Sequence, residues 1–220
     1  MIADALNQLR AALPSGVQLV AVSKFHPVER LMEAYNAGQR IFGENRPQEL
    51  AAKVPQMPAD VQWHFIGHLQ TNKLKMVLPY ASLVQSVDSM HLLEAINAWG
   101  AANNKVIDIL LELHLGAEET KHGFTEEEIL SIIASSEGTP SPLANVNFRG
   151  LMGMATNTED EDLIEKDFER IEKLFNKIKS FGLPYFDTLS IGMSGDWPIA
   201  VKHGATMVRI GTDIFGPREY

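Results

Sequence analysis

The stretch VQLVAVSKFHPVERLMEAYNA, residues 17–37, contains the strand–helix unit on which the fold prediction rests. Its first part, Val17–Val22, is an apolar run with the length of a buried strand. The part from Val28 to Ala37 has the apolar spacing of an amphipathic helix. A strand followed by a helix implies a crossover to a parallel neighbour, so this unit predicts an α/β fold with a parallel sheet.

The same alternation continues along the chain of 220 residues. Candidate strands are Val17–Val22, Arg40–Phe42, Gln62–Ile66, Leu83–Ser86, Val106–Leu113, Asn147–Met152, Thr188–Ile191 and Met207–Ile210. Candidate helices are Val28–Ala37, Pro47–Val54, Thr71–Leu78, Met90–Asn103, Glu126–Ser135, Glu159–Ser180 and Trp197–His203. This number of strands favours a closed (β/α)8 barrel of the TIM type over the main alternative, an open doubly wound sheet. Because such barrels average about 250 residues, the loops are expected to be short.

Composition shows no linker, so residues 1–220 are predicted to form a single domain. The segment Ser136–Pro142 (SEGTPSP) is rich in Ser, Pro and Gly and is assigned to a surface loop before the sixth strand. Ser89, Thr125 and Thr158 precede helical patterns, and their side-chain oxygens are expected to cap the first free amides.

Charge and composition exclude several classes of function. The formal net charge is −9 and no stretch concentrates Lys and Arg, which disfavours nucleic-acid binding. There is no cysteine, which excludes disulfides, Cys-ligated zinc and thiol catalysis. The stretch Met1–Leu13 lacks the pattern of a signal peptide, and no apolar run approaches the roughly 20 residues of a membrane helix. We therefore expect a cytoplasmic protein that does not contact membranes.

Lys24 directly follows the first strand. In a βα barrel, functional groups collect where the strands end, so this lysine should project at the barrel mouth, partly shielded from water. Shielding can lower the pKa of its amine and allow it to condense with an aldehyde. From its position alone, a lysine that simply reaches solvent is the more common outcome.

The last two predicted strands end in turns that suit an anion. The stretches TLSIGMSGD (Thr188–Asp196) and MVRIGTDIFG (Met207–Gly216) carry small and hydroxyl residues after each strand: Gly192, Ser194, Gly195, Gly211 and Thr212. Glycines let backbone amides approach an anion, and barrels often bind phosphate after strands seven and eight. Asp196 is expected to cap the following helix instead. Two ordinary turns are the alternative.

Arg209 lies within the eighth predicted strand, between Val208 and Ile210. Alternation puts its side chain on the face opposite both neighbours. If that face is the barrel interior, the buried guanidinium needs an acceptor. A pyridine nitrogen could serve as that acceptor, and so could a carboxylate elsewhere in the barrel; the spacing does not distinguish them.

Two further segments are rich in polar residues at predicted strand ends. FGENRPQE (Phe42–Glu49) places Asn45 and Arg46 after strand two. WHFIGHLQTNK (Trp63–Lys73) carries two histidines, His64 and His68, whose spacing of four would allow a metal pair on a helix. Because the intervening residues indicate a strand end, that pair is not expected to converge, and no metal site is predicted. Structural polar residues are the plain alternative for both segments.

These segments, taken together, resemble the pyridoxal phosphate homeostasis proteins, which are similar to the N-terminal barrel domain of alanine racemase. The resemblance runs from about Leu6 to Gly216. It rests on motifs that occur in the family's order: AVSK (Ala21–Lys24), FGENRPQE, WHFIGHLQTNK, KHGF (Lys121–Phe124), GLMGMA (Gly150–Ala155), LSIGMSGD and VRIGTDIFG. Each motif is weak by itself, and their combination is specific.

The resemblance implies a bound pyridoxal 5′-phosphate, with Lys24 as the lysine that forms the internal aldimine, a Schiff base. It implies phosphate binding at Ser194, Gly211 and Thr212, and an arginine at the pyridine nitrogen, Arg209. Asn45 and Met154 would line the cofactor. GLMGMATN (Gly150–Asn157) departs from the usual family pattern, so we expect an altered loop there and an intact site.

The resemblance also favours binding over catalysis. Alanine racemase-like enzymes take a second base from an additional β domain. Here the predicted barrel takes up the whole sequence, and only Pro217–Tyr220 lies beyond the last motif. Arginine at the pyridine nitrogen keeps the ring a poor electron sink. We expect a monomeric carrier that buffers the cofactor and delivers it to apo-enzymes. An amino-acid racemase with Tyr220, a histidine or a second subunit as base is the first alternative, and a phosphosugar-binding barrel without cofactor is the second.

Overall fold

In the computed structural model, which describes residues 1–116, 122–136 and 142–217, eight parallel strands close into a barrel in sequence order. The strands are β1 Gln18–Val22, β2 Ile41–Glu44, β3 Gln62–Phe65, β4 Ala81–Val87, β5 Ile107–Leu113, β6 Val146–Gly153, β7 Thr188–Ser190 and β8 Met207–Ile210. β1 pairs with both β2 and β8, which closes the barrel. The predicted (β/α)8 fold is confirmed, and the open sheet is wrong.

Helices surround the barrel on its outside. They are α1 Ile2–Ala12, α2 Val28–Asn36, α3 Pro47–Lys53, α4 Leu74–Val77, α5 Met90–Asn103, α6 Glu126–Ser136, α7 Glu161–Lys179, α8 Trp197–Lys202 and α9 Thr212–Phe215. Two of these helices were not predicted from the sequence: α1, which packs against α2 and α9, and α9 itself. The predicted helix Thr71–Leu78 begins as a 3-10 turn, Thr71–Lys73, before α4.

The side chains of each strand alternate between two cores. The large core lies between barrel and helices and includes Val208 and Ile210 of β8. A small apolar cluster fills the middle of the barrel: Val20, Leu83, Leu110, Met152 and Met207. Because Met207 belongs to the inner cluster, alternation places Arg209 on the interior face, as predicted. Polar side chains of the strands are also buried in this interior. A functional site is expected at the mouth where the strands end.

The helix caps agree with the prediction at two of three positions. Ser89 Oγ accepts from the Leu92 amide, and Thr125 Oγ1 accepts from the Glu128 amide while the Glu128 carboxylate accepts from the Thr125 amide. The prediction for Thr158 was wrong, because α7 starts later and Asp160 accepts from its first amides. In the predicted loop SEGTPSP, Ser136 ends α6, and residues 137–141 lie outside the described part of the chain.

Among the described residues, no helix has both the length and the apolar character needed to cross a membrane.

Candidate cofactor site

The carboxyl ends of the strands enclose a cavity of about 230 Å³. All seven residues predicted for the cofactor site line it: Lys24, Asn45, Met154, Ser194, Arg209, Gly211 and Thr212. Gly195, which was predicted as part of the anion-binding turn, lines the cavity as well. The remaining lining residues were not predicted from the sequence: Val22, His26, Ile66, Met193 and Gly216. His26 follows Lys24 by two residues, so its position on the same loop could have identified it as a residue of the cavity wall. The structure thus brings the predicted residues together at one mouth of the barrel.

A larger hollow of about 480 Å³ lies at the opposite end, where the strands begin. Arg149 is paired there with Asp108 and Asp187. Functional sites of (β/α)8 barrels lie at the carboxyl ends of the strands, whereas the amino ends contribute to stability. We therefore assign the functional site to the smaller cavity.

The loop that carries Lys24 is held by hydrogen bonds to carboxylates that do not line the cavity. Phe25 has a φ of +67°, a left-handed conformation that costs a bulky residue energy unless its surroundings hold it. Its amide donates to Glu49 Oε2 at 2.9 Å. On the other side of Lys24, Ser23 Oγ donates to Glu44 Oε1 at 2.7 Å. Both neighbours of the lysine are thus fixed by carboxylates of the FGENRPQE segment.

Lys53 of α3 connects these two carboxylates. Its Nζ lies 2.6 Å from Glu44 Oε1 and 2.9 Å from Glu49 Oε2, and it donates to the Ser23 carbonyl at 2.9 Å. The Glu44 side chain has no exposed surface. Burial raises the pKa of Glu44, and Lys53 opposes the rise. This buried network behind the strand end was not predicted, because Glu44 reads as a loop carboxylate in sequence.

Asn45 offers a buried polar atom to a ligand. Its Oδ1 finds no hydrogen-bond partner among the described residues, although buried amide oxygens are normally paired. Gly67 packs directly beneath it, since a Cβ on Gly67 would overlap the Asn45 carbonyl oxygen. The unpaired amide on the cavity wall fits a ligand with a hydrogen-bonding group at this point.

The loops after β7 and β8 form the polar wall of the cavity. Within the described chain, the amides of Ser194 and Gly195 donate to no main-chain carbonyl. Thr212 begins α9, so its amide has no partner within that helix. The prediction that Asp196 caps α8 was wrong: its carboxylate accepts from the Met193 amide at 2.6 Å and so shapes the loop around Ser194. Free amides and hydroxyls at this position suit a phosphate group.

Arg209 is almost completely buried and projects into the barrel interior. Its Nη1 donates to the carbonyl and the hydroxyl of Ser190, both at 2.7 Å, and its Nη2 donates to the Gly153 carbonyl at 2.9 Å. Among the described residues, no carboxylate forms an ion pair with it; Glu112 and Asp196 act on it only at longer range. Of the two alternatives for this arginine, the internal salt bridge is therefore wrong. Burial lowers the pKa of Arg209 to about 10, so it keeps its proton at neutral pH.

A chain of polar side chains runs below Arg209 through the barrel. Ser190 Oγ donates to Gln85 Oε1 at 2.6 Å, and Gln85 Nε2 lies 2.9 Å from His64 Nδ1. Burial lowers the pKa of His64 to about 4, so this imidazole is neutral. His64 thus supports the interior network, and it does not meet His68, which lies near Asp88.

The other predicted polar residues lie outside the cavity. Arg46 stacks over the Phe25 ring, with its guanidinium carbon 4.5 Å from the ring centroid. In the altered segment Gly150–Asn157, Met154 lines the cavity, and Thr156 bonds Asp167 of α7 through its amide and its hydroxyl. Lys121 of the KHGF motif lies outside the described residues.

Glu112 of β5 is a buried carboxyl on the interior face. Burial and the Asp88 charge raise its pKa to about 7, against the opposing effect of Arg209. Between its ordinary pKa and about 7 the folded protein therefore binds more protons than the unfolded chain, so this residue makes stability fall as pH rises through that window.

We predict that Glu112→Gln removes this loss, because the neutral amide has nothing to ionise. Relative to the wild type, the variant should gain on the order of 3 kcal/mol between pH 5 and pH 8. Urea unfolding of both proteins at several pH values measures the difference. A gain of the same size at every pH would contradict the assignment of the raised pKa to Glu112.

A closed (β/α)8 barrel with a lysine, a buried arginine and a polar wall at the carboxyl ends of its strands places the protein in the class of (β/α)8 barrel proteins with a candidate ligand site at that mouth. The family described as "Alanine racemase, N-terminal domain" matches residues 1–219. More particularly, the chain belongs to the pyridoxal phosphate homeostasis protein family. It is 38% identical over 212 residues to the "Pyridoxal phosphate homeostasis protein" of Vibrio alginolyticus, covering 94% of this chain and 89% of that one. It is 39% identical over 207 residues to the protein of the same name from Schizosaccharomyces pombe, covering 92% and 84%.

Solved structures agree with this assignment. PipY of Synechococcus elongatus without PLP (pyridoxal 5′-phosphate) has a TM-score of 0.91 at 35% identity, covering 98% of this chain and 100% of that one. The same protein with PLP bound has a TM-score of 0.87 at 34% identity, with the same coverage. An alanine racemase from Clostridium difficile, at 15% identity and a TM-score of 0.79, shares the fold.

Proposed function

We propose that this protein binds pyridoxal 5′-phosphate in the cavity at the carboxyl ends of the strands and takes part in its intracellular homeostasis. The observation that carries the proposal is that one cavity gathers all seven predicted residues. The family assignment and the PLP-bound structure of PipY support the choice of ligand. In the described part of the chain, the Asn45 amide oxygen is unpaired and the amides of Ser194 and Gly195 donate to no main-chain carbonyl, which fits a small, polar, phosphorylated molecule. A phosphosugar would leave Lys24 without a role.

Each residue has a defined task in this proposal. Lys24 Nζ forms the C=N bond of a Schiff base with the aldehyde carbon, and the aldehyde oxygen leaves as water. The loops that carry Ser194, Gly211 and Thr212 bind the phosphate through amides and hydroxyls. Arg209 donates to the pyridine nitrogen, while Asn45 and Met154 contact the ring.

Two features favour a protein that holds the cofactor over an enzyme that turns over a substrate. The first is the charged Arg209, and the second is the stacking of His26 on Phe215. Arg209 keeps its protons at neutral pH, because even the lowered pKa of about 10 is far above it. The cofactor is a weaker electron sink for amino-acid chemistry when its ring nitrogen is unprotonated, and an arginine donor there does not transfer a proton. Within the described chain, His26 is the one imidazole that lines the cavity, and it is stacked on Phe215 with ring centroids 4.8 Å apart.

The proposal includes delivery of the cofactor to apo-enzymes by a monomer, since one chain supplies every predicted residue. The loaded protein, freed of excess cofactor by gel filtration, is mixed with an apo-aminotransferase, and the activity regained is measured. We expect recovery that approaches one enzyme site per loaded chain. Failure to reactivate the apo-enzyme while the cofactor stays bound would contradict the carrier role.

Catalysis is tested on the same preparation. Single amino-acid enantiomers are incubated with the loaded protein, and chiral chromatography measures the other enantiomer. We expect no interconversion above that of free pyridoxal phosphate at equal concentration. Turnover above this background, abolished by His26→Ala, would establish the racemase alternative with His26 as the base and overturn the non-catalytic proposal.

A further inference from the structure

Three side chains outside the cofactor cavity converge at the same mouth of the barrel. His68 follows β3, Asp88 directly follows β4, and His122 lies on the segment that returns to the end of β5. Their ligand atoms lie within 4.8 Å of one another. We propose that His68, Asp88 and His122 form a binding site for a first-row divalent cation of the zinc type.

The return of the chain after β5 brings His122 into place. Phe124 forms a parallel bridge with Leu113, its amide donates to the Glu112 carbonyl at 2.8 Å, and its carbonyl accepts from the His114 amide at 3.0 Å. Gly123 has a φ of +128°, and a Cβ there would lie 2.7 Å from the His114 nitrogen. Only glycine permits this close return, so the glycine of the KHGF motif serves to present the neighbouring histidine.

The loop of His68 is fixed in a similar way. Ser86 of β4 donates its hydroxyl to the Gly67 carbonyl, which ties the end of β3 to β4. Ser86 lies two residues before Asp88, and Gly67 lies next to His68. This hydrogen bond therefore holds the His68 loop close to the Asp88 carboxylate. The three candidate ligands thus rest on hydrogen-bonded strand ends.

The geometry matches a site with three protein ligands. Asp88 Oδ2 lies 2.8 Å from His68 Nδ1 and 3.9 Å from His122 Nδ1, so both imidazoles present the same nitrogen to one carboxylate oxygen. Their rings stack, with centroids 4.3 Å apart. Ligand atoms around tetrahedral zinc lie about 3.4 Å apart, because each bond is about 2.1 Å long. To reach that spacing around one ion, the two exposed imidazoles would turn out of their stacked arrangement.

Burial and ligand type indicate what kind of ion the site would hold. The Asp88 side chain is 4% exposed, whereas those of His68 and His122 are 48% and 61% exposed. A buried carboxylate can anchor the ion, and the exposed imidazoles leave a coordination position open to water. Two imidazoles with one carboxylate suit zinc, cobalt or nickel better than magnesium or calcium. From the sequence, His68 was considered only with His64, that pair was rejected, and no metal site was predicted; the structure supplies these other partners.

The test uses the full chain without a histidine tag, stripped with a chelator and titrated with zinc chloride in a calorimeter. We expect one zinc ion per chain, and cobalt in its place should give the visible absorption of a tetrahedral site. His68→Ala, His122→Ala and Asp88→Asn should each weaken binding by about tenfold or more. The two histidines are exposed, so their removal should leave the circular dichroism spectrum unchanged.

Two controls separate the site from other sources of zinc binding. His203→Ala removes the imidazole of a different histidine–carboxylate pair, with Glu172 at 2.9 Å, and should bind zinc like the wild type. Protein freed of pyridoxal phosphate should bind zinc as well as the loaded protein does, which excludes chelation by a bound cofactor. Absence of binding at micromolar zinc, cobalt or nickel would overturn the proposal. So would binding that His68→Ala and His122→Ala leave unchanged.

Discussion

We expect that replacing Lys24 by alanine abolishes the proposed covalent attachment of pyridoxal phosphate while the barrel stays folded. The expected result follows from chemistry, because no other described residue that lines the cavity carries a primary amine. The loops proposed to bind the phosphate and Arg209 are untouched, so weak non-covalent binding should remain, with an affinity lower by about 100-fold, roughly 3 kcal/mol. Lys24 is half-buried at a strand end, and its removal should change stability by less than about 1 kcal/mol.

Absorption titration with pyridoxal phosphate measures this effect. The wild type should develop the visible band of a protonated Schiff base, and Lys24→Ala should show only the spectrum of the free aldehyde. Lys73→Ala is the matched control, because that lysine lies in the turn after β3 and does not line the cavity. An unaltered band in Lys24→Ala would contradict the proposed attachment.

Replacing Lys53 by methionine should have the largest effect on stability. Removing the ammonium group leaves Glu44 buried without its charged partner, and breaking a buried pair in this way costs about 3–5 kcal/mol. The loop of Lys24 also loses support, since Lys53 holds the Ser23 carbonyl and the carboxylate that fixes the Phe25 amide. Urea unfolding should show the loss, and the affinity for pyridoxal phosphate should fall as well.

The double variant Glu44→Gln with Lys53→Met is the control for this interpretation. It removes both charges, so it should be more stable than Lys53→Met alone, and the coupling between the two positions should be clearly measurable. If the double variant lost as much as the sum of the two single changes, the ion pair would not be the cause.

The stability lost in Lys53→Met should also depend on pH. Lys53 opposes the rise that burial causes in the pKa of Glu44, so without it the pKa in the folded variant rises further. A carboxyl with a raised pKa in the folded state contributes stability below its unfolded pKa and loses it as pH rises through the folded value. The gap between the wild type and Lys53→Met should therefore be smaller at pH 5 than at pH 8. Unfolding curves at the two values measure it.

The architecture could be predicted because each strand–helix unit is encoded locally. The apolar run Val17–Val22 and its helix gave the correct elements, and counting such units gave the barrel. The errors lie where tertiary contacts override local pattern. The strand Arg40–Phe42 continues to Glu44, because β3 pairs with Gly43 and Glu44 and Lys53 neutralises the carboxylate that made the segment read as a loop.

The convergence of the candidate site residues could be predicted for a different reason. These residues stand at the ends of strands, so their convergence follows from the barrel itself and from the resemblance. Residues that support the site without lining the cavity could not be predicted in this way. Lys53 on α3 and Glu112 on β5 become meaningful only through contacts and burial, and Asp88 meets His122 because of a return of the chain that spacing does not encode.

The most direct test of the central claim is to locate the attachment of the cofactor. The protein is loaded with pyridoxal phosphate, treated with borohydride to reduce the C=N bond to a stable amine, digested and mapped by mass spectrometry. The proposal predicts one modified residue, Lys24, in nearly every chain. A modification placed on another lysine, or no modification in a protein that is fully loaded, would contradict it.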